Sequence, residues 1–147
     1  MRSLPRLLLG IVLGWLLGSL VNMGLVQAGH ALVPLPDGLD ASNLEALKAA
    51  MPSFGPGHFV FPFLSHALGT LVGAFVATKM APGWGGWPAG VVGGLFLAGG
   101  ITIALMVPAP AWFIAVDLLL AYVPFAWLGY WLGGGRRVST RMQHGGG

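Results

Sequence analysis

Four polar side chains interrupt long apolar runs in this sequence: Asn22, His66, Thr102 and Asp117. Asp117 is the only acid inside any of those runs. A carboxylate surrounded by hydrocarbon must be protonated, paired or hydrated, because an isolated charge there is costly. His66 is its natural partner, since an imidazole changes charge near neutral pH. A His–Asp pair can relay protons, bind a cation or orient the imidazole as a base. The same four residues would equally serve as a hydrogen-bonded brace that specifies helix register. Both uses stay open at this point.

The elements that must position them follow from composition. The chain has 147 residues, of which seven are Lys or Arg and four Asp or Glu, while 56% are hydrophobic. Soluble domains carry about 25% charged residues, and 7% is too few to cover a soluble surface of this size. An ordinary soluble enzyme, a nucleic-acid binder and a disordered chain are thereby excluded. A spanning helix needs about 20 largely apolar residues, and residues 7–28, 59–78, 87–107 and 111–132 each meet that requirement. The expected fold is all-α: a polytopic membrane protein, a four-transmembrane-helix bundle forming a single domain over residues 1–147. Residues 29–58 form an outer loop with a short amphipathic helix, and residues 133–147 form a basic tail. Counted inward from the outer ends, Asn22, His66, Thr102 and Asp117 all lie about 8–10 Å below the boundary, one from each span.

Charge placement predicts the orientation. Arg2, Arg6, Lys79, Arg136, Arg137 and Arg141 all fall on one side if the helices alternate, with Lys48 alone opposite. The positive-inside rule then puts both termini in the cytoplasm of a bacterial inner membrane. Trp84, Trp87, Trp127, Tyr130 and Trp131 are expected at the cytoplasmic interface, and Phe59, Phe61, Phe63 and Trp112 at the outer one. Arg136, Arg137 and Arg141 read as anchors for anionic headgroups. The first span also resembles a cleavable secretory signal ending in Val26-Gln27-Ala28, but its apolar run is longer than a signal core of about 7–15 residues.

In the outer loop, Pro36-Asp37-Gly38 predicts a turn. Ser42 and Glu45 have the spacing of a capping box, and Pro52 ends the short helix that follows. Leu44, Leu47 and Met51 share one face, which lies on the membrane surface or lids the bundle, or acts as a gate or docking element. Small residues at spacing four predict close helix packing, within one chain or between chains: Gly10, Gly14 and Gly18, then Gly69 and Gly73, then Gly90 and Gly94. In the fourth span Pro124 cannot donate to the carbonyl of Leu120, so a kink is expected there.

Other chemistry is weakly signalled. With no cysteine there is no disulfide or zinc–thiolate framework, and no catalytic set, metal site or cofactor motif is predicted. His30 and His58 flank the outer loop without compact ligand spacing, and His144 belongs to the tail. Gly83–Gly86 lacks the Lys and Ser/Thr of a phosphate loop.

From Pro34 to Ala77 the sequence, with PLPDGLD and HFVFPFLSHALGTLVGAFVA, resembles a group of small, uncharacterised bacterial inner-membrane proteins. Pro62, His66, Ala67, Leu68, Gly69, Thr70 and Gly73 carry most of that resemblance, which implies four spans and adds no catalytic roles. Small multidrug transporters also have four short helices, but the acid they need in the first span is replaced here by Gly14 and Trp15. The expected function is a non-enzymatic membrane component in the lipid bilayer, packing against itself or a membrane-protein partner. The alternative is a small oligomeric transporter or channel that uses His66 and Asp117.

Overall fold

The structure, a computed structural model, describes residues 3–135. Six α-helices follow one another: α1 (Leu4–Leu32), α2 (Leu44–Ala50), α3 (Val60–Met80), α4 (Trp87–Met106), α5 (Ala111–Leu120) and α6 (Val123–Tyr130). One-turn 3₁₀ segments at Met51–Ser53 and Pro56–Phe59 lead from α2 into α3, and a π-helical turn, Trp131–Gly135, continues α6. The all-helical architecture therefore stands, with four helical segments long and apolar enough to cross a membrane. Arg2, Arg136, Arg137, Arg141 and His144 lie outside the described residues.

Helix α1 is longer than its apolar run suggests. Its 29 residues rise about 44 Å, more than a hydrocarbon thickness of about 30 Å requires. It runs antiparallel to α3 in a single register. A Cβ on Gly14 would lie 2.5 Å from the carbonyl oxygen of Gly73, and one on Gly18 would lie 2.5 Å from that of Gly69. The reciprocal approaches, from Gly73 to Gly14 and from Gly69 to Gly18, are both 2.9 Å. Gly10 meets Ala77 at one end of this seam and Gly29 meets Phe61 at the other. Side chains are absent where the two backbones touch, so dispersion and weak Cα–H···O contacts hold the pair.

Helix α3 is the hub, bordered by α1, α4 and α6. The ring of Phe96 on α4 fills the notch left by Gly18, Gly69 and Gly73. On another face, Gly129 of α6 comes against the carbonyl of Leu71 and the methyl of Ala74, and Gly133 comes against Thr78. Within the chain, the glycines of α4 divide into two sets. Gly90 and Gly94 are exposed and touch nothing, whereas Gly93 faces Ala126 and Gly100 faces Tyr122. The fourth span, expected to be merely bulky, carries its own small-residue face in Gly129 and Gly133.

That span is also broken, as Pro124 predicts. Helix α5 ends when the Ala121 amide donates to the Asp117 carbonyl, and α6 restarts with the Ala126 amide on the Tyr122 carbonyl, one bond on each side of the junction. The loop forms a lid. Met51 is buried with Phe59 and Phe113, beneath Leu47 and Phe54. Phe59 therefore belongs to a core cluster and not to an interfacial belt. The Leu39 amide closes the expected turn on Pro36, with Gly38 at φ +81°. The helix cap is shifted by one residue from expectation: Asn43 Oδ1 accepts from the amides of Glu45 and Ala46, while Ser42 donates to Asp40 instead. The Ser42 hydroxyl, with its amide, holds the Asp40 carboxyl below its usual range.

These contacts predict an asymmetry between two glycines of the same chain. Gly14→Leu is expected to lower stability in detergent by about 1–3 kcal/mol through overpacking. Gly90→Leu is expected to change it by no more than about 0.5 kcal/mol. Thermal unfolding of the two variants checks this, and equal effects would contradict the seam.

Candidate functional site

The tight seams leave the helices apart at the end that bears the loop. There a half-open chamber of about 440 Å³ lies between α1, α3, α4 and α5, beneath the loop helix. Its walls are largely apolar, with Val26, Met51, Phe59, Phe113, Ile103 and Leu118 among them. Asn22, Ser65, His66 and Asp117 supply polar groups, and His30 and His58 also line it.

His66 and Asp117 meet. The imidazole Nδ1 lies 2.9 and 3.0 Å from the two carboxylate oxygens, so its N–H donates to both. The Asp117 side chain is 6% exposed and that of His66 18%. His66 is held by α3, whose neighbouring residues are small and buried on the faces toward α1 and α4. Asp117 comes from α5, one turn before the break. Asp117 is therefore paired, one of the outcomes its cost requires.

A third member of the group lies in the break itself. The Tyr122 hydroxyl donates to Asp117 Oδ2 at 3.1 Å, and its ring stacks on His66 at 5.7 Å between centroids. Tyr122 is almost wholly buried, and Gly100 provides the space: a Cβ at that position would overlap the hydroxyl. Sequence reasoning missed both residues. In an unbroken helix, positions 117 and 122 diverge by about 140°. Only the break before Pro124 brings Tyr122 back to the carboxylate, and Pro124 was the available signal.

The four-residue layer is therefore reduced. Asn22 lines the chamber, its Cβ beside Gly69, but no hydrogen bond joins it to His66 or Asp117. Thr102 lies at the expected depth yet faces outward, and its hydroxyl donates to the Ala98 carbonyl at 2.8 Å. A threonine satisfied by its own helix has no need of a polar partner across the bundle. Ser65 and Thr70 likewise donate to carbonyls of α3, those of Pro62 and His66.

At the chamber mouth His58 stacks on Phe54, centroids 4.8 Å apart, and His30 is exposed. Among the described residues, no three His, Asp or Glu side chains converge as metal ligands would. At the opposite end, among the described residues, lie Arg6 and Lys79, the latter 5.7 Å over the Phe75 ring. Chemically, the chamber offers a large apolar volume, one carboxylate and one imidazole that share a hydrogen bond, and a free amide.

The Tyr122 pocket gives a sharp expectation. Gly100→Val should displace the tyrosine from Asp117 and destabilise the fold by about 1–3 kcal/mol. Thr102→Val should leave stability within about 0.5 kcal/mol. Chemical denaturation in mixed micelles compares them, and the opposite ranking would refute this geometry. No family model, curated protein or solved structure matches the chain.

Proposed function

We propose that the chain is a multi-pass protein of a bacterial inner membrane, with both termini cytoplasmic. It acts without covalent chemistry, as a small binding or transport component whose chamber opens on the outer side. Membrane residence is supported by the large apolar side chains on its surface. Leu105, Leu119, Leu20 and Trp127 are each more than three-fifths exposed, a surface suited to lipid and not to water. The orientation is supported by charge: Arg6 and Lys79 share one end, and Asp37, Asp40, Glu45 and Lys48 lie in the loop at the other. The glycine seam between α1 and α3 supports a retained first helix.

One observation carries the functional reading: the chamber of about 440 Å³ with the His66–Asp117 pair in its wall. A purely structural brace would leave that volume filled by side chains. Apolar chambers of some 300–1,000 Å³ with a few convergent polar groups are the usual form of small-molecule sites. The reading as a packing or accessory component accounts for the glycine contacts but gives the chamber no role. The transporter reading, with His66 and Asp117 near the outer side, gives it one.

The test uses a small neutral apolar molecule, neopentylbenzene, and the protein in lipid nanodiscs. Saturation-transfer NMR should show binding to the wild type, weakened at least about tenfold in Ala104→Trp, which fills the chamber. Equal signals in the two proteins would overturn the reading. The lack of cysteine makes the orientation equally testable. A cysteine placed by Asp37→Cys should react with an impermeant maleimide in intact cells, and one placed by Pro82→Cys only after lysis. The reverse pattern would invert the topology.

A further inference from the structure

Resting on the reading of the chamber as a small-molecule site, we propose that its ligand is a lipophilic cation, an aromatic or alkyl ammonium, bound in exchange for one proton from the His66–Asp117 pair. Three observations lead there. First, no Lys or Arg among the described residues reaches Asp117. Among the described residues, Arg6 and Lys79 are at the far end, and Lys48 is in the loop, 3.0 Å from Glu45 and outside the chamber wall. The positive charge that balances a buried carboxylate must therefore be a proton or a ligand.

Second, the neighbours of the pair from each packed element are known. Helix α3 contributes His66, α5 contributes Asp117 itself, and the α5–α6 junction contributes Tyr122. Helix α1 gives the uncharged Asn22, and no ionisable side chain of α4 lines the chamber. His30 and His58 stand at the mouth, on the segments that flank the loop. The pair is thus the site's one carrier of exchangeable charge in the interior. An imidazolium with a carboxylate is neutral overall. When an ammonium enters, one proton leaves the imidazole for solvent, and a neutral imidazole, a carboxylate and the cation remain, again neutral overall.

Third, the walls suit a cation with an apolar body. Phe59 and Phe113 lie 4.7 Å apart in the chamber lining, with Phe54 and Phe61 also facing it. Aromatic faces attract an ammonium through their quadrupole and accept its hydrocarbon by burial. An anionic ligand would be repelled by the Asp117 carboxylate, and a wholly neutral one would leave the pair unused.

The experiment compares two molecules of one shape, benzyltrimethylammonium and its neutral carbon analogue neopentylbenzene, by equilibrium dialysis against nanodiscs. Affinity for the cation should rise with pH, by up to about tenfold per unit, because one proton is displaced. One proton should be released per cation bound in weakly buffered solution. Affinity for the neutral analogue should not change with pH. Asp117→Asn should abolish the pH dependence and weaken the cation at least about tenfold. Should that variant fail to fold, the wild-type slope and proton release decide alone. If the neutral analogue binds and the cation does not, or the cation binds without a pH slope, the exchange is refuted and the chamber reading stands. If neither molecule binds, both fall.

Discussion

A buried carboxylate with no lysine or arginine beside it among the described residues constrains everything at the loop end of this bundle. Asp117 can be accommodated only where donors converge on it, and those donors come from two different directions. His66 reaches it from α3, and Tyr122 reaches it from beyond the break in its own span. The break is therefore a requirement of the site as much as a consequence of Pro124: without it the tyrosine hydroxyl would point elsewhere. Gly100 then has to be glycine, because the ring occupies the space of its side chain. One charge thus fixes a helix junction, a glycine on a neighbouring helix and the rotamer of a histidine.

The bundle has two halves with opposite packing logic. Toward the Lys79 end, glycine and alanine bring α1 and α6 onto α3 at backbone contact, and α4 packs there through the side chains of Val92 and Phe96. Toward the loop end, large side chains replace them, and α5 leans on the rest mainly through Asp117 and the Met51–Phe59–Phe113 cluster. Large residues at that end keep the helices apart, and the chamber is the space they leave. The lid made by α2 and Met51 closes it only in part. Such an arrangement combines a stiff half that sets register with a looser half that can admit a ligand.

Much of this was legible in the sequence. The four spans follow from runs of uncharged residues, and the glycine faces of α1 and α3 from repeats at spacing four, though not that these two faces meet each other. The His66–Asp117 contact follows from the cost of a lone acid and the presence of one titratable partner at the same depth. What was not legible is azimuth. Depth places Thr102 in the layer, but each residue turns the helix by about 100°, and a hydroxyl bonded to its own backbone gives no direction. Helix α4 carries glycines at 90, 93, 94, 99 and 100, so spacing alone admits two phases. The phase set by Phe96 and Tyr122 prevails over that of Gly90 and Gly94. The cap moved from Ser42 to Asn43 for a similar reason: two competent residues stand side by side, and Asp40 engages the first.

The central claim is that His66 and Asp117 form one unit on which the loop end depends. A double-mutant cycle on unfolding free energy measures that directly, using His66→Leu, Asp117→Leu and the pair together. Breaking a buried pair from one side strands a polar partner and costs about 3–5 kcal/mol. The loss in His66→Leu should therefore be large, and the double variant should be more stable than the sum of the singles by more than about 1 kcal/mol. Single effects that add to within about 0.5 kcal/mol would show that the two side chains act independently, and would contradict the account.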